Sequence, residues 1–423
     1  MNLTKSILST SKFRIRGIVP LQWVFFVLAL VFASLFQSVY LFKENAYEYF
    51  DVAASDILHL ELVRDYSFLA GAVLIAPLLR SLGHKRVILV SVIGLSLLMI
   101  LMPWAKDVLV MSILVGGISL TFAVCTIGIY ASFAVLARSV AHHASMVSLF
   151  EGFSLLGMCL SYVLFGQSLK TYGFEWKYGF WVLLPLLAIV LMADWRMMNQ
   201  DKTFEKRRFT PKKDFNSFLR EVISFSNNSV VIIFVVCLMM TAVTEIHFKN
   251  WITHYTETEI RLPNFIKSNF FALVILMMGL GRLLTGALLL KVSKLVLVVA
   301  CVGVSAFGVY FTVDQVVKQN LIAITKLNDV PLSLYFVLGT AVFSASITPM
   351  VYSSLLGQVG KYRQGSLLCL VLVITILSEQ VSKTISAFLY ETFSFHIAYF
   401  FILIPLTLIF VLFELFYRDL RSE

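Results

Sequence analysis

The chain has 423 residues, of which 59% are hydrophobic and only 14% charged, with a formal net charge of +10. Soluble domains carry about 25% charged residues, and water would penalise this much apolar surface at roughly 25 cal/mol per Å², so an ordinary soluble enzyme is excluded. The Lys and Arg residues sit in short segments between apolar runs, which is a pattern of bilayer orientation rather than of nucleic-acid binding.

Taken in order, the apolar runs predict twelve helices. The first, 19–42, follows the basic segment MNLTKSILSTSKFRIRGIVP and is too long for the apolar region of a signal peptide. The next five cover 57–81, 86–103, 109–136, 145–168 and 178–198. Six more cover 229–253, 266–290, 294–314, 331–357, 364–390 and 395–417. In lipid every backbone amide needs an internal partner, and runs of about 20 residues without alternation meet that need as helices rather than barrel strands. The expected fold is an all-α membrane protein of two pseudo-symmetric six-helix bundles, 1–198 and 229–423, joined by a cytoplasmic linker, 199–228. That linker holds KTFEKRRFTPKKD, which reads as a solvated stretch resting on anionic headgroups.

With the N-terminus inside, inner segments collect Lys5, Lys12, Arg14, Arg16, Arg80, Lys85, Arg86, Arg138, the linker bases, Arg282, Lys291, Lys294, Lys361, Arg363, Arg418 and Arg421. Outer segments hold fewer than half as many, which places both termini in the cytoplasm of an inner-membrane protein. The Asn-x-Ser/Thr triplets at Asn2 and Asn227 then stay unmodified. Gly71 to Gly94 parallels Gly281 to Gly303: each is an apolar helix, a short basic turn and a second apolar helix. Such duplication is common in secondary transporters, with the substrate site between the repeats.

Cys125, Cys159, Cys237, Cys301 and Cys369 all lie in apolar runs and read as small buried hydrophobes. His142 and His143 are expected in a solvated cytoplasmic loop. No GxxxxGK, GxSxG, HExxH or paired-cysteine motif is present, so neither an enzyme nor a cofactor or metal is expected.

The turn Ala76-Pro77-Leu78-Leu79-Arg80-Ser81-Leu82-Gly83-His84-Lys85-Arg86 resembles the glycine- and base-rich turn between helices 2 and 3 of the major facilitator superfamily. Arg80 stands where that family has an acid. Glu175-Trp176-Lys177-Tyr178-Gly179-Phe180-Trp181 resembles the family's W-R-x-x-F-W lead into helix 6. Glu245, Trp251, Tyr255 and Gly281-Arg282-Leu283-Leu284, with Thr348-Pro349, are similar to the fucose-permease type of sugar–proton symporter. That group has an acid in helix 1, where this chain offers Gln22, Ser34, Gln37 and Ser38. The resemblance implies gating or structural roles for Gly83, Lys85, Arg86, Arg282 and Pro349. Arg282 also reads as a snorkelling helix-end residue.

An ionised side chain at bilayer depth is unfavourable by about 2.5–3.5 kcal/mol on insertion scales, so each intramembrane charge is a candidate. Glu151 reads as a proton carrier, or as a structural acid paired with a cytoplasmic base such as Arg138. Glu245 reads as a proton or substrate site, or as an ion pair with Lys249 four residues on. Trp251 and Tyr255 fit stacking on a sugar face or an interfacial aromatic belt. Glu379 and Lys383, spaced i, i+4, point to one face; they read as a contact for an anionic substrate or as a fixed salt bridge. Glu61, Arg64 and Asp65 read as solvated outer surface, or as groups reaching the cavity.

The expected function is secondary active transport of a small polar metabolite (a sugar, amino acid or organic acid) by a monomer, coupled to protons or sodium. On this reading Glu245→Gln or Glu379→Gln abolishes gradient-driven accumulation. Drug or siderophore efflux, and a non-transporting receptor or scaffold, are the alternatives.

Overall fold

The computed structural model describes residues 20–52, 54–165, 176–199, 211–260, 262–317, 332–357 and 363–422. In chain order the helices are α1 (Pro20–Phe50), α2 (Ala54–Leu82), α3 (His84–Leu101), α4 (Val108–Leu136), α5 (Val140–Phe165), α6 (Leu184–Asn199) and α7 (Pro211–Ser226). They continue as α8 (Ser229–His254), α9 (Asn264–Leu288), α10 (Lys294–Val317), α11 (Leu332–Gly357), α12 (Gln364–Thr392) and α13 (Leu403–Ser422). Among the described residues there is no strand, as expected where lipid denies the backbone outside partners.

Among the described residues eleven helices are long and apolar enough to cross a membrane, and Trp176–Met192 forms a shorter apolar one. The sixth expected span is interrupted. A turn at Trp176–Tyr178 leads into Gly179–Val182, and α6 starts afresh at Leu184. Pro185 lacks the amide that would continue the ladder through this point, but it is tolerated in a first turn. In the opposite direction, α1 runs eight residues beyond its expected end, into the acidic segment.

Local chemistry sets the helix ends. Asp107 caps α4 by accepting from the Val110 amide at 2.8 Å, and Asn228 caps α8 through the Val231 amide at 3.2 Å. Between α2 and α3 the chain turns at Gly83 with φ 76°, a conformation that suits glycine. Lys85 and Arg86 follow in the first turn of α3.

Packing is tightest where glycine lets backbones meet. α1 packs on α5, α2 on α4, and α9 on both α5 and α11. A Cβ on Gly157 would collide with the Leu30 carbonyl of α1, and one on Gly281 with the Val342 carbonyl of α11. Along the α5–α9 seam, Ser145 donates to the Gly286 carbonyl at 2.6 Å and Ser148 to the Arg282 carbonyl at 2.7 Å.

Three surface expectations are corrected by burial. His143 is buried because α5 begins at Val140, ahead of the histidine pair. Arg64 and Asp65 are buried, paired at 2.9 Å, with the guanidinium 4.5 Å from the Phe36 ring centre. The linker is not merely a solvated stretch, because residues 211–226 form α7; the more basic part before it lies outside the described residues.

Candidate functional site: a charged knot between helices 5, 8, 9 and 11

Arg282 is the centre of the site. It lies in the last third of α9, and its glycine neighbours bring the helix close to α5 and α11. It is 4% exposed, so it does not snorkel to the surface. One terminal nitrogen donates to Glu151 Oε2 of α5 at 2.8 Å, and the other to Glu245 Oε2 of α8 at 2.6 Å. Nε donates to the Ala345 carbonyl of α11 at 3.0 Å. The planar fork of the guanidinium allows this three-way reach, which a lysine ammonium could not reproduce in one plane.

The carboxylates are held from their other sides. Glu151 Oε1 accepts from the Tyr130 hydroxyl of α4. Glu245 Oε1 accepts from Lys249 at 3.0 Å, the i, i+4 pair expected on α8, and its Oε2 accepts from Thr348 of α11 at 3.3 Å. Tyr130 also packs against Tyr352 of α11, ring centres 5.0 Å apart. Two carboxylates therefore meet two cations, which offsets the desolvation that an unpaired charge would suffer at this depth.

Pro349 supplies the acceptor on α11. In an unbroken helix the amide of residue 349 would bond to the carbonyl of residue 345. Proline has no amide, so the Ala345 carbonyl is released and takes the Arg282 Nε–H instead. The proline expected to gate or shape α11 thus stands behind the knot rather than in it.

The other candidates lie elsewhere. Glu379 and Lys383 pair with each other at 3.0 Å within α12 and are substantially exposed, apart from the Arg282 knot. Trp251 is fully buried, stacked on Tyr255 at 5.0 Å and on Tyr399 at 3.9 Å. That stack lies inside the helix packing. Near it His247 joins three elements: Nδ1 meets Ser386 of α12 at 2.7 Å and Nε2 the Ala398 carbonyl at 2.9 Å. Tyr130, Tyr352 and His247 were missed by sequence reasoning, since nothing local distinguishes them from other aromatics in apolar runs.

α12 also shows where the protein opens. Gly365 in its first turn packs on Leu79 and Ala76 of α2. Lys383 lies about five turns further on, on the same helix line at roughly 3.6 residues per turn, yet it is exposed. Gln380, Thr384 and Glu391 share its polar face, while Leu377, Val381, Ile385 and Phe388 form a separate apolar stripe. α12 therefore packs on α2 near the linker and is exposed on the same line towards its other end.

A helical membrane bundle with a buried, balanced charge knot and a one-sided opening has the build of a transporter, not of an enzyme. The model of the Major Facilitator Superfamily matches residues 25–374. The chain belongs to that superfamily and is a multi-pass membrane transporter.

Solved structures agree on the fold. A proton:xylose symporter, XylE, superposes with TM-score 0.70 at 13% identity, over 93% of this chain and 94% of that one. The E. coli fucose:proton symporter FucP gives 0.71 at 12%, over 93% and 98%. The human organic anion transporter MFSD10 gives 0.69 at 16%, over 93% and 98%. No curated protein matches the sequence significantly.

Proposed function

We propose that this protein is a proton-coupled secondary transporter of a small polar metabolite in the inner membrane, working by alternating access. In this reading twelve spans form two six-helix bundles, residues 1–198 and 229–423, with both termini and the 199–228 linker in the cytoplasm. The closed end is then cytoplasmic and the open end faces outward.

The observation that carries the reading is the Glu151–Arg282–Glu245 bridge. It ties α5 of the first bundle to α8 and α9 of the second. Protonating Glu151 removes the arm that crosses from α5 to α9, and protonating Glu245 frees Arg282 on the α8 side, so proton occupancy and the α5–α9 contact are linked. A substrate moves the same equilibrium only through unequal affinity for its two states. Glu379 and Lys383 stand outside the bridge, so coupling is assigned to Glu151 and Glu245. The sugar–proton symporters among the structural neighbours make sugars the first panel to test.

The test is uptake into proteoliposomes under an imposed pH gradient. Wild-type protein accumulates its substrate when the gradient is present and only equilibrates when it is absent. Glu245→Gln is expected to equilibrate in both conditions, while Glu379→Gln still accumulates. Normal accumulation by Glu245→Gln and Glu151→Gln alike would refute the coupling assignment.

A further inference from the structure

The linker helix α7 carries more apolar surface than the protein covers. Phe218, Val222 and Phe225 pack inward. Beside them on the same arc, Phe215, Leu219 and Ile223 form an i, i+4, i+8 stripe that is exposed, Ile223 by 63%. Asn216 and Arg220 follow next around the circumference, both exposed. The remaining side is taken up by α12: Ser366 donates to Glu221 at 2.7 Å, Arg363 donates to the Ser224 hydroxyl, and the Arg363 guanidinium sits 5.0 Å from the Phe225 ring centre. α7 packs across the ends of α2, α8 and α12, at the level where membrane spans emerge.

We propose that α7 is seated in the bilayer surface, with the Phe215–Leu219–Ile223 stripe among the acyl chains and Arg220 at the anionic lipid headgroups. An amphipathic helix with an apolar face and an adjoining basic edge lies in the interface plane. Arg220 borders the stripe, and the run KRRFTPKK over 206–213 has no acidic residue. Anionic lipid favours such a base by about 1 kcal/mol, which a second copy of this chain, with its net charge of +10, does not. The seat bears on the closed end, because the same helix holds the first turn of α12 through Glu221 and Ser224. This inference does not depend on the substrate or on proton coupling.

Benzoylphenylalanine placed at Phe215, Leu219 or Ile223 of the full-length protein, with Ser217 as the control position, tests it. The protein is reconstituted into equimolar phosphatidylcholine and phosphatidylglycerol vesicles, irradiated and weighed intact. Lipid adducts are expected at 219 and 223 but few at 217. The phosphatidylglycerol adduct should exceed the other about threefold at low salt, with the excess shrinking at about 1 M salt, where the screening length is near 3 Å. Cross-links to a second protein chain, no adduct at any position, or lipid adducts in the bulk ratio at every salt concentration would each overturn the proposal. All three positions are exposed, so the substitutions should leave the fold intact.

Discussion

Removing the Arg282 guanidinium would leave Glu151 and Glu245 facing each other in a buried site. Breaking such a pair destabilises by about 3–5 kcal/mol, so Arg282→Met is expected to melt well below the wild type in detergent. Adding Glu151→Gln to it should restore part of the loss, because Glu245 keeps Lys249 whereas Glu151 is the carboxylate left without a cation; a double variant melting no higher than Arg282→Met would contradict this. Arg282→Lys keeps the charge but cannot reach Glu151, Glu245 and the Ala345 carbonyl together, so charge alone should not rescue transport. Pro349→Ala returns an amide to α11 that competes for the Ala345 carbonyl. Weaker coupling with an unchanged or raised melting temperature is expected for it, read from gradient-driven uptake beside a thermal scan. The acids of the knot were legible in the sequence because a carboxylate in an apolar run demands a partner. Lys249 could be read as a partner of Glu245, but the partner of Glu151 could not, since Glu151 and Arg282 are brought together only by the α5–α9 contact.

At the scale of the helix, small residues decide which contacts form. Gly281 and Gly303 both lie inside apolar helices and look equivalent in sequence. A Cβ on Gly281 strikes the Val342 backbone, while one on Gly303 meets nothing within 4 Å. Gly281→Ala should therefore lower the melting temperature. Gly303→Ala should leave it unchanged or raise it, as alanine favours a helix over glycine by about 1 kcal/mol. Equal melting of the two variants would show that the α9–α11 approach does not constrain stability. The long apolar runs made the spans readable, since length and continuity suffice for that. α7 was overlooked because its apolar residues are interleaved with charge, so the eye registers a polar linker. Its 3–4 residue spacing from Phe215 to Phe225, with Pro211 at the first position, was the available signal. The break ahead of α6 was similarly signalled by Pro185.

Across the whole molecule, α12 packs on α2 at its first turn and is exposed five turns further on. Two exposed residues of α12 should then behave differently in a bilayer. Lys383→Cys, on the polar face, should react with a charged, membrane-impermeant maleimide, and substrate should slow that reaction. Leu377→Cys, on the apolar stripe, should be inert in vesicles although it is 55% exposed as a surface. Equal labelling of both would mean that α12 does not divide water from lipid. The overall architecture could be anticipated from composition because solvation acts on every residue at once. The direction of opening could not, as it depends on a few contacts such as Gly365 on Leu79.

The serine-and-glycine lining of the α5–α9 seam has a mechanical consequence. Ser145 and Ser148 hold on to carbonyls of the facing helix, and Gly152 and Gly286 present no bulky side chain of their own. Into those notches fit Leu283 and Leu149 of the opposite helix, so the two backbones run close and any rolling has to carry these side chains with it. The ionic clasp around Arg282 adds a second hold on the same seam, so motion there has to release both the packing and the charge pair.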